Sequence, residues 1–261
     1  MAMKIVTWNV NSIRARLGQV LDWIERNQPD VVCMQETKVS DDDFPTEEFQ
    51  RISYGVAISG QKTYNGVAIA TSRVLTDVQA GLLDEPTTAD KRLLAVTIKG
   101  VRIYSAYVPN GKSVEHPDFE KKKRWLGDFK RTVLRDIASG RAKKGVVLCG
   151  DYNIAPEERD VYDVEAMRGQ LHFHPEEHAA LNDLMSIGLV DAFRLHHQEA
   201  ELFSWWDYRG GNFRRNQGLR IDLILISEQL KERCVGAHID RAVRKLPKPS
   251  DHTPVVIELE L

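Results

Sequence analysis

The sequence contains few cysteines, and they form no metal-binding pattern. Cys33, Cys149 and Cys234 are the only three in 261 residues. None belongs to a CxxC pair, and the first two lie in apolar runs that read as strands. An odd number without such pairs argues against a disulfide framework and against a thiolate zinc site. We therefore expect a reducing, cytoplasmic location.

Long apolar stretches are also absent. No apolar run approaches the roughly 20 residues that span a bilayer, and residues 4–8 follow the start without the apolar region of a signal peptide. The sequence therefore predicts no membrane association. Low-complexity tracts, Gly/Ser linkers and breaks in composition are missing as well, so we expect a single domain over residues 1–261.

A strong charge of either sign is missing too. The formal net charge is -2, from 36 basic and 38 acidic residues, so the overall charge does not indicate a nucleic-acid partner. The basic residues are unevenly distributed, however. They cluster at 121–124, 141–144, 209–220 and 241–248. Such clusters can contact phosphates, although each alone is also typical of a solvated helix face or loop.

Short apolar strands dominate the chain, with few helices between them. The predicted strands are 4–9, 31–35, 56–58, 66–70, 93–98, 101–108, 145–150, 203–206, 220–227, 235–240 and 255–261. Helices are predicted at 118–139, at 176–187 and around 17–24. This pattern does not fit a doubly wound parallel sheet. It indicates an α/β protein with two sheets packed face to face and helices outside.

Acidic residues stand at unusual places in these strands. Glu36 and Asp151 directly follow apolar runs, and Asp222 is embedded in one. Asp251 precedes His252 just before the last strand. Any one of them is explained as a cap or turn residue, but together they are harder to explain as independent turns. An acid inside a strand, such as Asp222, also needs a partner, because an unpaired buried carboxylate is costly.

Oxygen-rich groups without cysteine suit hard cations, namely Mg²⁺, Mn²⁺ or Ca²⁺. Mg²⁺ usually takes one or two carboxylates and keeps waters and substrate phosphate, which matches scattered acids. His252 could ligate a metal, but it also suits a hydrogen bond with Asp222. Amides at Asn9, Asn11 and Asn153 could orient acids or bind phosphate oxygens, or could simply form turns.

Aromatic and basic residues alternate over residues 203–216. Flat rings beside arginines and a flexible Gly210-Gly211 pair can form a stacking surface for bases or sugars. Trp205 and Trp206, taken singly, are more typical of a core. The loop 210–216 is the expected surface contact.

Nine segments spread along the chain carry a family resemblance. They are TWNVNSIRAR (7–16), PDVVCMQETK (29–38), YNGVAIA (64–70), YSAYVPNG (104–111), GDYNIAP (150–156), GLVDAFR (188–194), FSWWDYR (203–209), NQGLRIDLIL (216–225) and SDHTPV (250–255). Taken together, these segments resemble the exonuclease III / AP endonuclease family of DNA repair nucleases. The resemblance implies the four-layer α/β sandwich of DNase I-like phosphodiesterases. It also implies hydrolysis 5′ to abasic sites, with 3′→5′ exonuclease and 3′-phosphatase or phosphodiesterase activity on duplex DNA.

The resemblance further implies a metal site. Glu36 would hold a divalent ion, Mg²⁺ with Mn²⁺ as a possible substitute, supported by Asn9 and Asn11. Asp251 would lie near the metal or hydrogen-bond within the site. Some members of the family carry Asp at the position of Asn11, which puts a direct metal contact there in doubt.

The implied catalytic roles fall on five residues. Asp151 would align or deprotonate the attacking water, and Asn153 would contact the scissile phosphate. Asp222 would orient His252, which would stabilise the phosphate in the transition state. Tyr107 would contact the phosphate or assist the leaving oxygen. An aligned water, charge neutralisation and help for the leaving group are what phosphodiester cleavage requires.

The expected partner is double-stranded DNA with abasic sites or 3′ ends, bound by a monomer. The DNA-contacting residues are expected to be Asn11, Arg92, Asn110, Phe203, Trp205, Arg209, Asn216 and Arg220. Some family members carry Trp where this chain has Leu219, so the pocket wall would rely on Phe203, Trp205 or Trp206. Two alternatives stay open: a related phosphodiesterase acting on RNA, phosphoinositides or phospholipids, and a non-catalytic DNA-binding protein.

Overall fold

The computed structural model describes residues 2–86 and 88–261, and in them the chain forms two six-stranded sheets. The strands are β1 (Met3–Asn9), β2 (Val31–Gln35), β3 (Gly55–Ser59), β4 (Val67–Thr71), β5 (Thr76–Ala80), β6 (Leu93–Ile98), β7 (Val101–Tyr107), β8 (Val146–Asp151), β9 (Leu189–Asp191), β10 (Asp222–Ser227), β11 (Cys234–Ile239) and β12 (Val255–Leu259). The helices are α1 (Ile13–Asn27), α2 (Thr46–Arg51), α3 (Pro117–Ala138), α4 (Val164–Met167), α5 (Pro175–Met185) and α6 (Asn212–Arg215). The first sheet has the order β11-β12-β1-β2-β4-β3, and the second has the order β5-β6-β7-β8-β10-β9.

The two sheets pack face to face, and helices cover their outer faces. The inner faces share one apolar core, to which Ile5 and Cys33 contribute from the first sheet and Val147 and Cys149 from the second. Helices α1 and α2 bury apolar residues against the outer face of the first sheet. Helices α3 and α5 do the same on the second sheet. The predicted four-layer α/β sandwich is therefore confirmed.

Helix α3 illustrates why the sequence folds this way locally. Pro117 begins the helix, where its missing N–H is no loss, and the ring of His116 accepts a hydrogen bond from Asp118 N at 3.0 Å. Apolar side chains at helical spacing, among them Leu126 and Phe129, face the sheet. No helix in the described part of the chain is both long and apolar enough to cross a membrane.

Parallel strand pairs bring several strand ends to one edge of the sandwich. Strand β1 pairs in parallel with β2, and β7 with β8. Strand β10 runs antiparallel to β8, so that Asp222 at its start lies opposite Asp151 at the end of β8. The central strands also touch across the sandwich, where Gln35 Nε2 donates to Ser105 Oγ at 3.1 Å. Residues that follow β1, β2 and β8 therefore meet at the same edge.

Most predicted strands are confirmed to within two residues, but the strand predicted at 203–206 is wrong. Trp205 makes only isolated bridges, one to Leu219 and one to His252. Because the segment pairs with two distant parts of the chain, one residue at a time, no ladder can extend. The sequence prediction also omits β5, whose exposed residues lack apolar alternation, and β9, which has only 3 residues.

Gly150, directly before Asp151, generates a prediction about stability. A Cβ atom at this position would lie 2.4 Å from the carbonyl oxygen of Ala106 on β7. We expect Gly150→Ala to lower the free energy of unfolding by about 1–3 kcal/mol, because one strand must shift. Urea unfolding measures the change. The matched control is Gly127→Ala in α3, where a Cβ meets open space and stability should rise by about 1 kcal/mol. Equal losses in both variants would contradict the prediction.

Candidate active site

The structure brings predicted site residues from both sheets together at this edge. Asn9 Nδ2 donates to Glu36 Oε1 at 2.8 Å and to Asp151 Oδ2 at 2.9 Å. One ligand atom each from Glu36, Asp151 and His252 lie within 4.8 Å of one another. Asp222, at the start of β10, lies opposite Asp151 and beside His252. Groups far apart in the sequence thus form one compact polar cluster, and it can hold a divalent cation.

Two of the site residues leave their strands in a left-handed conformation. Glu36 and Asn153 both have a φ of 52°, which is uncommon for residues other than glycine and is found disproportionately at functional sites. Hydrogen bonds hold these turns in place. Ser12 N donates to the carbonyl oxygen of Glu36 at 2.7 Å, and Asn153 N donates to Asp151 Oδ1 at 2.9 Å. The turns fix where the side chains project at the ends of β2 and β8.

His252 is held by a buried carboxylate. Its Nδ1 lies 2.9 Å from Asp222 Oδ2, and Ser204 Oγ donates to the same oxygen at 2.6 Å. Burial alone lowers the pKa of His252, but the negative charges of Asp222 and Asp151 outweigh that effect and raise the pKa to about 10. His252 is therefore an imidazolium at neutral pH. With protons on both ring nitrogens it acts as a hydrogen-bond donor here, and a metal would have to be held by the oxygens.

Asp151 is a weaker acid than an ordinary aspartate, because its pKa is raised. Burial raises its pKa, and the negative charges of Asp222 and Glu36 raise it further. The charge of His252 and the hydrogen bond from Asn9 oppose this rise, and the resulting pKa is about 7. A carboxyl with a pKa near neutrality is suited to accept a proton from water. A divalent cation beside it would favour the ionised form.

Tyr107 and Arg92 form one side of the cluster. The Arg92 guanidinium carbon lies 4.8 Å from the centre of the Tyr107 ring, and Arg92 Nη1 donates to the carbonyl oxygen of Tyr107 at 3.4 Å. Burial, with the negative charges of Glu36 and Asp151, raises the pKa of Tyr107 well above its usual value. The phenol is therefore protonated at neutral pH and can serve as a donor.

The amide side chain of Asn153 is fixed on both ends. Its Nδ2 donates to the carbonyl oxygen of Val108 at 3.1 Å, and its Oδ1 accepts from Asn110 Nδ2 at 3.1 Å. Asn110, predicted to contact DNA, therefore reaches the site through Asn153. Both residues are candidates for contact with a phosphate beside Asp151.

Asp251 takes part in hydrogen bonds beside the cluster. Its Oδ1 accepts from Asn11 Nδ2 at 2.9 Å, and its Oδ2 accepts from Trp205 Nε1 at 3.0 Å. It is outside the close group formed by Glu36 and its neighbours. Asp251 thus hydrogen-bonds within the site and orients Asn11 and Trp205, which is one of its two predicted roles, and its contact with a metal stays a prediction. Asn9, likewise predicted near the metal, uses its Nδ2 to orient the two carboxylates.

Several residues predicted to contact DNA are accessible around this cluster. The Arg209 side chain is 90% exposed and pairs with Asp207. Trp205 is half-buried, and its ring centre lies 6.4 Å from that of His252. Asn216, also half-buried, ends α6 in a left-handed conformation. Of the three, Trp205 is shown beside the catalytic cluster, and contact of these side chains with DNA stays a prediction.

Two other predicted DNA contacts need correction, because the side chains are buried. Phe203 and Arg220 have no exposed surface. Arg220 Nε donates to Asp160 Oδ1 at 2.6 Å, and its Nη2 donates to Asp191 Oδ2 at 2.7 Å. A phosphate or base cannot reach Arg220 without breaking these buried ion pairs. Arg220 is thus committed to buried ion pairs with Asp160 and Asp191, and the Phe203 ring lies inside the protein.

Three further residues lie in this region and are absent from the sequence predictions. Lys38 Nζ lies 2.9 Å from Glu36 Oε2, and Ser204 holds Asp222. His172 Nδ1 lies 2.6 Å from the carbonyl oxygen of Asn153, and burial lowers its pKa to about 3. Lys38 and Ser204 stand inside the quoted segments and could have been found there, whereas His172 lies outside every one of them.

Comparison with known proteins agrees with this geometry. The sequence pattern of the endonuclease/exonuclease/phosphatase family matches residues 6–252. The chain belongs to this family. The chain is 34% identical in sequence to exodeoxyribonuclease III of Haemophilus influenzae, and the alignment covers 99% of this chain and 100% of that protein. The predicted resemblance is therefore confirmed, and the chain is a hydrolase of the nuclease type.

Solved structures of other family members have the same fold. The 3′ phosphatase NExo from Neisseria, bound to a product DNA hairpin, has a TM-score of 0.96 and 38% identity, covering 100% of both chains. An AP endonuclease from Archaeoglobus fulgidus has a TM-score of 0.93 and 37% identity, covering 99% of this chain and 100% of that one. This family member thus shares its architecture with DNA-processing enzymes along its whole length.

The two pKa values predict how the rate of hydrolysis depends on pH. The predicted role of Asp151 as a base requires its deprotonated form, so the rate should rise as the pH increases toward about 7. A bound metal would move this acidic limb of the pH profile to lower pH. His252 is charged only below about 10, so the rate should fall above that pH. Single-turnover rates across this range measure both limbs.

Asp222→Asn provides the matched test of the alkaline limb. Without the Asp222 charge, His252 should lose its proton at lower pH, and the alkaline limb should move in that direction. An alkaline limb that stays in place would show that His252 does not cause it.

Proposed function

We propose that this nuclease is a Mg²⁺-dependent DNA repair enzyme that acts as a monomeric, single-domain protein. Its proposed reaction is hydrolysis of the phosphodiester bond 5′ to abasic sites, together with 3′→5′ exonuclease and 3′-end-cleaning activity on duplex DNA. The observation that carries the proposal is the joining of Glu36 and Asp151 with the Asp222–His252 pair at one sheet edge. The activities for which its relatives are named, on 3′ ends and at abasic sites, support the choice of substrate.

The donor set at the site fits a hard divalent cation. Glu36 and Asp151 offer carboxylate oxygens, and no cysteine lies among the ligand groups. Glu36 would hold the ion, and Mn²⁺ could replace Mg²⁺. When bound, such an ion neutralises charge that builds up on the phosphate oxygens. Asn9 bridges the two carboxylates and keeps them at a fixed separation.

The remaining groups have complementary tasks around a phosphate. Asp151, with its pKa near neutrality, aligns the attacking water and takes its proton. His252, kept positively charged by Asp222, donates a hydrogen bond to a phosphate oxygen as charge develops there. Asn153 contacts the same phosphate. Tyr107, whose phenol keeps its proton, assists the departing oxygen.

The experiment that tests this proposal uses end-labelled duplex DNA with one abasic-site analogue, beside an undamaged duplex. Both are incubated with Mg²⁺, and then with EDTA. Cleavage 5′ to the lesion that requires Mg²⁺ supports AP endonuclease activity, and a ladder that shortens from 3′ ends supports exonuclease activity. A 3′-phosphorylated duplex tests end cleaning. Binding without any cleavage in Mg²⁺ or Mn²⁺ would favour a non-catalytic protein, and cleavage of RNA or phospholipids alone would favour a related phosphodiesterase.

Asp151→Asn tests the assignment of the base. We expect turnover to fall by about 10²–10⁴-fold, because the water loses its proton acceptor. Binding of DNA, measured by fluorescence anisotropy, should remain largely intact. The control is Asp128→Asn on α3, which removes a carboxylate of a surface ion pair with Arg131 and should not change turnover. Near-normal turnover in Asp151→Asn would remove Asp151 from the mechanism.

DNA affinity should depend strongly on salt. The proposed contacts are mostly with phosphates, so the logarithm of the binding constant should fall linearly with the logarithm of the salt concentration. Removing one phosphate-binding cation, as in Arg209→Gln, should reduce that slope by about one. Anisotropy titrations at several salt concentrations measure the slope. An affinity independent of salt would contradict the proposed footprint.

A further inference from the structure

Helix α3 carries a lysine that is buried beneath the active site. Lys122 has no exposed side-chain surface, whereas Lys121 and Lys130 on the same helix lie partly in solvent. An ammonium group inside a protein is costly unless every donor finds a partner. The three donors of Lys122 have partners on three separate elements of the structure. They are the carboxylate of Glu177 on α5 and two backbone carbonyl groups.

The two carbonyl groups belong to the loops that carry the phosphate-binding amides. Lys122 Nζ donates to the carbonyl oxygen of Asn153 at 2.6 Å and to that of Asn110 at 3.3 Å. The side chains of Asn110 and Asn153 are hydrogen-bonded to each other at 3.1 Å. One ammonium group therefore fixes the backbones of both residues while their side chains meet above it.

The position of Asn153 depends on such support from below. Its backbone is left-handed, with a φ of 52°, a conformation that asparagine adopts more readily than other non-glycine residues, and the hydrogen bond from Lys122 Nζ to its carbonyl oxygen holds it there. Its amide N–H donates to Asp151 Oδ1 at 2.9 Å. A shift of the Asn153 backbone would consequently move the carboxylate that is proposed to align the water.

We infer that Lys122 is a positioning residue for the hydrolysis proposed above, on which this inference rests. Its ammonium group holds the loops after β7 and β8 at a fixed separation, and so places Asn153 and Asp151 against the phosphate. Lys122 itself does not touch the substrate, because its side chain is closed off from solvent. It acts through the two carbonyl groups.

A simpler role would be an ion pair that only joins α3 to α5. A second pair separates the two roles, because Lys130 Nζ lies 2.7 Å from Asp183 Oδ1 and joins the same two helices near the surface. Lys130 has its hydrogen bonds with Asp183 and Ser186, away from the catalytic loops. Lys130→Met is therefore the matched control for a lysine that links these helices.

The decisive variant is Lys122→Met/Glu177→Leu. Replacing a whole buried ion pair by apolar residues of similar size is often neutral or stabilising. Glu177→Leu also removes the hydrogen bond that Glu177 Oε2 accepts from His174 N at the start of α5, so we expect the double variant to fold with a modestly lower thermal midpoint. It cannot restore the hydrogen bonds to the carbonyl oxygens of Asn110 and Asn153. If the double variant does not fold, Lys122→Gln/Glu177→Gln, which keeps polar groups between the helices, receives the same measurements.

We expect kcat on duplex DNA to fall by about 10–100-fold in the folded double variant, with KM little changed. Misplaced reacting groups reduce the stabilisation of the transition state and leave the binding of the ground state largely unaffected. Lys130→Met should retain normal kcat. A folded double variant that is as active as the unmodified protein would overturn the inference, because the pair would then serve only to join the two helices.

A second measurement is independent of activity. Hydrogen exchange of the Asn153 backbone amide, followed by NMR, should accelerate by about tenfold or more in the double variant and stay unchanged in Lys130→Met. Unchanged exchange at Asn153 would overturn the positioning role, whatever the substrate. If the unmodified protein cleaves no DNA while exchange accelerates as expected, the proposed function fails and the positioning role of Lys122 stands.

Discussion

The hydrogen bonds from Asn9 to Glu36 and Asp151 are the contact on which the rest of the active site depends. Asn9 ends a strand of the first sheet and Glu36 follows another, whereas Asp151 ends a strand of the second sheet. The site therefore exists only while the two sheets keep their relative position. The apolar core between the sheets keeps their relative position, and the hydrogen bond from Gln35 on β2 to Ser105 on β7 supports it. The packing of the two sheets against each other therefore determines how the carboxylates are aligned.

The site concentrates charge where water is scarce, and each buried charge has a specific partner. Asp222 is balanced by His252, and the protonated ring in turn lies beside Asp151. Beneath them, Arg220 is held by Asp160 and Asp191, and Lys122 by Glu177. Removing one member of such a pair leaves an isolated charge in a poorly solvated interior, which costs more than the pair itself contributes. The region is therefore rigid because its electrostatics allow few alternative arrangements.

The fold class and much of the site could be predicted because their signals are local. Glu36 and Asp151 each end an apolar run, and Asp222 interrupts one, so their positions at strand ends and starts follow from the pattern. Arg220 was misplaced because an arginine in a strand resembles a surface cation, and its partner Asp160 lies 60 residues away. The segment 203–206 has the composition of a strand, but only tertiary pairing determines that it makes single bridges. Ser204 and Lys122 likewise acquire their roles from distant neighbours.

The cysteines buried in this fold affect how the protein responds to oxidants. Cys33 and Cys149 lie between the sheets, and Cys234 is buried at the rim of the same core. Burial raises the pKa of Cys149 well above its usual value and that of Cys234 to about 11. Peroxides react with exposed thiolates, and these two groups are sheltered and protonated. Peroxide is therefore expected to spare Cys149 and Cys234, because the same packing that builds the sandwich keeps both sulfur atoms buried and protonated.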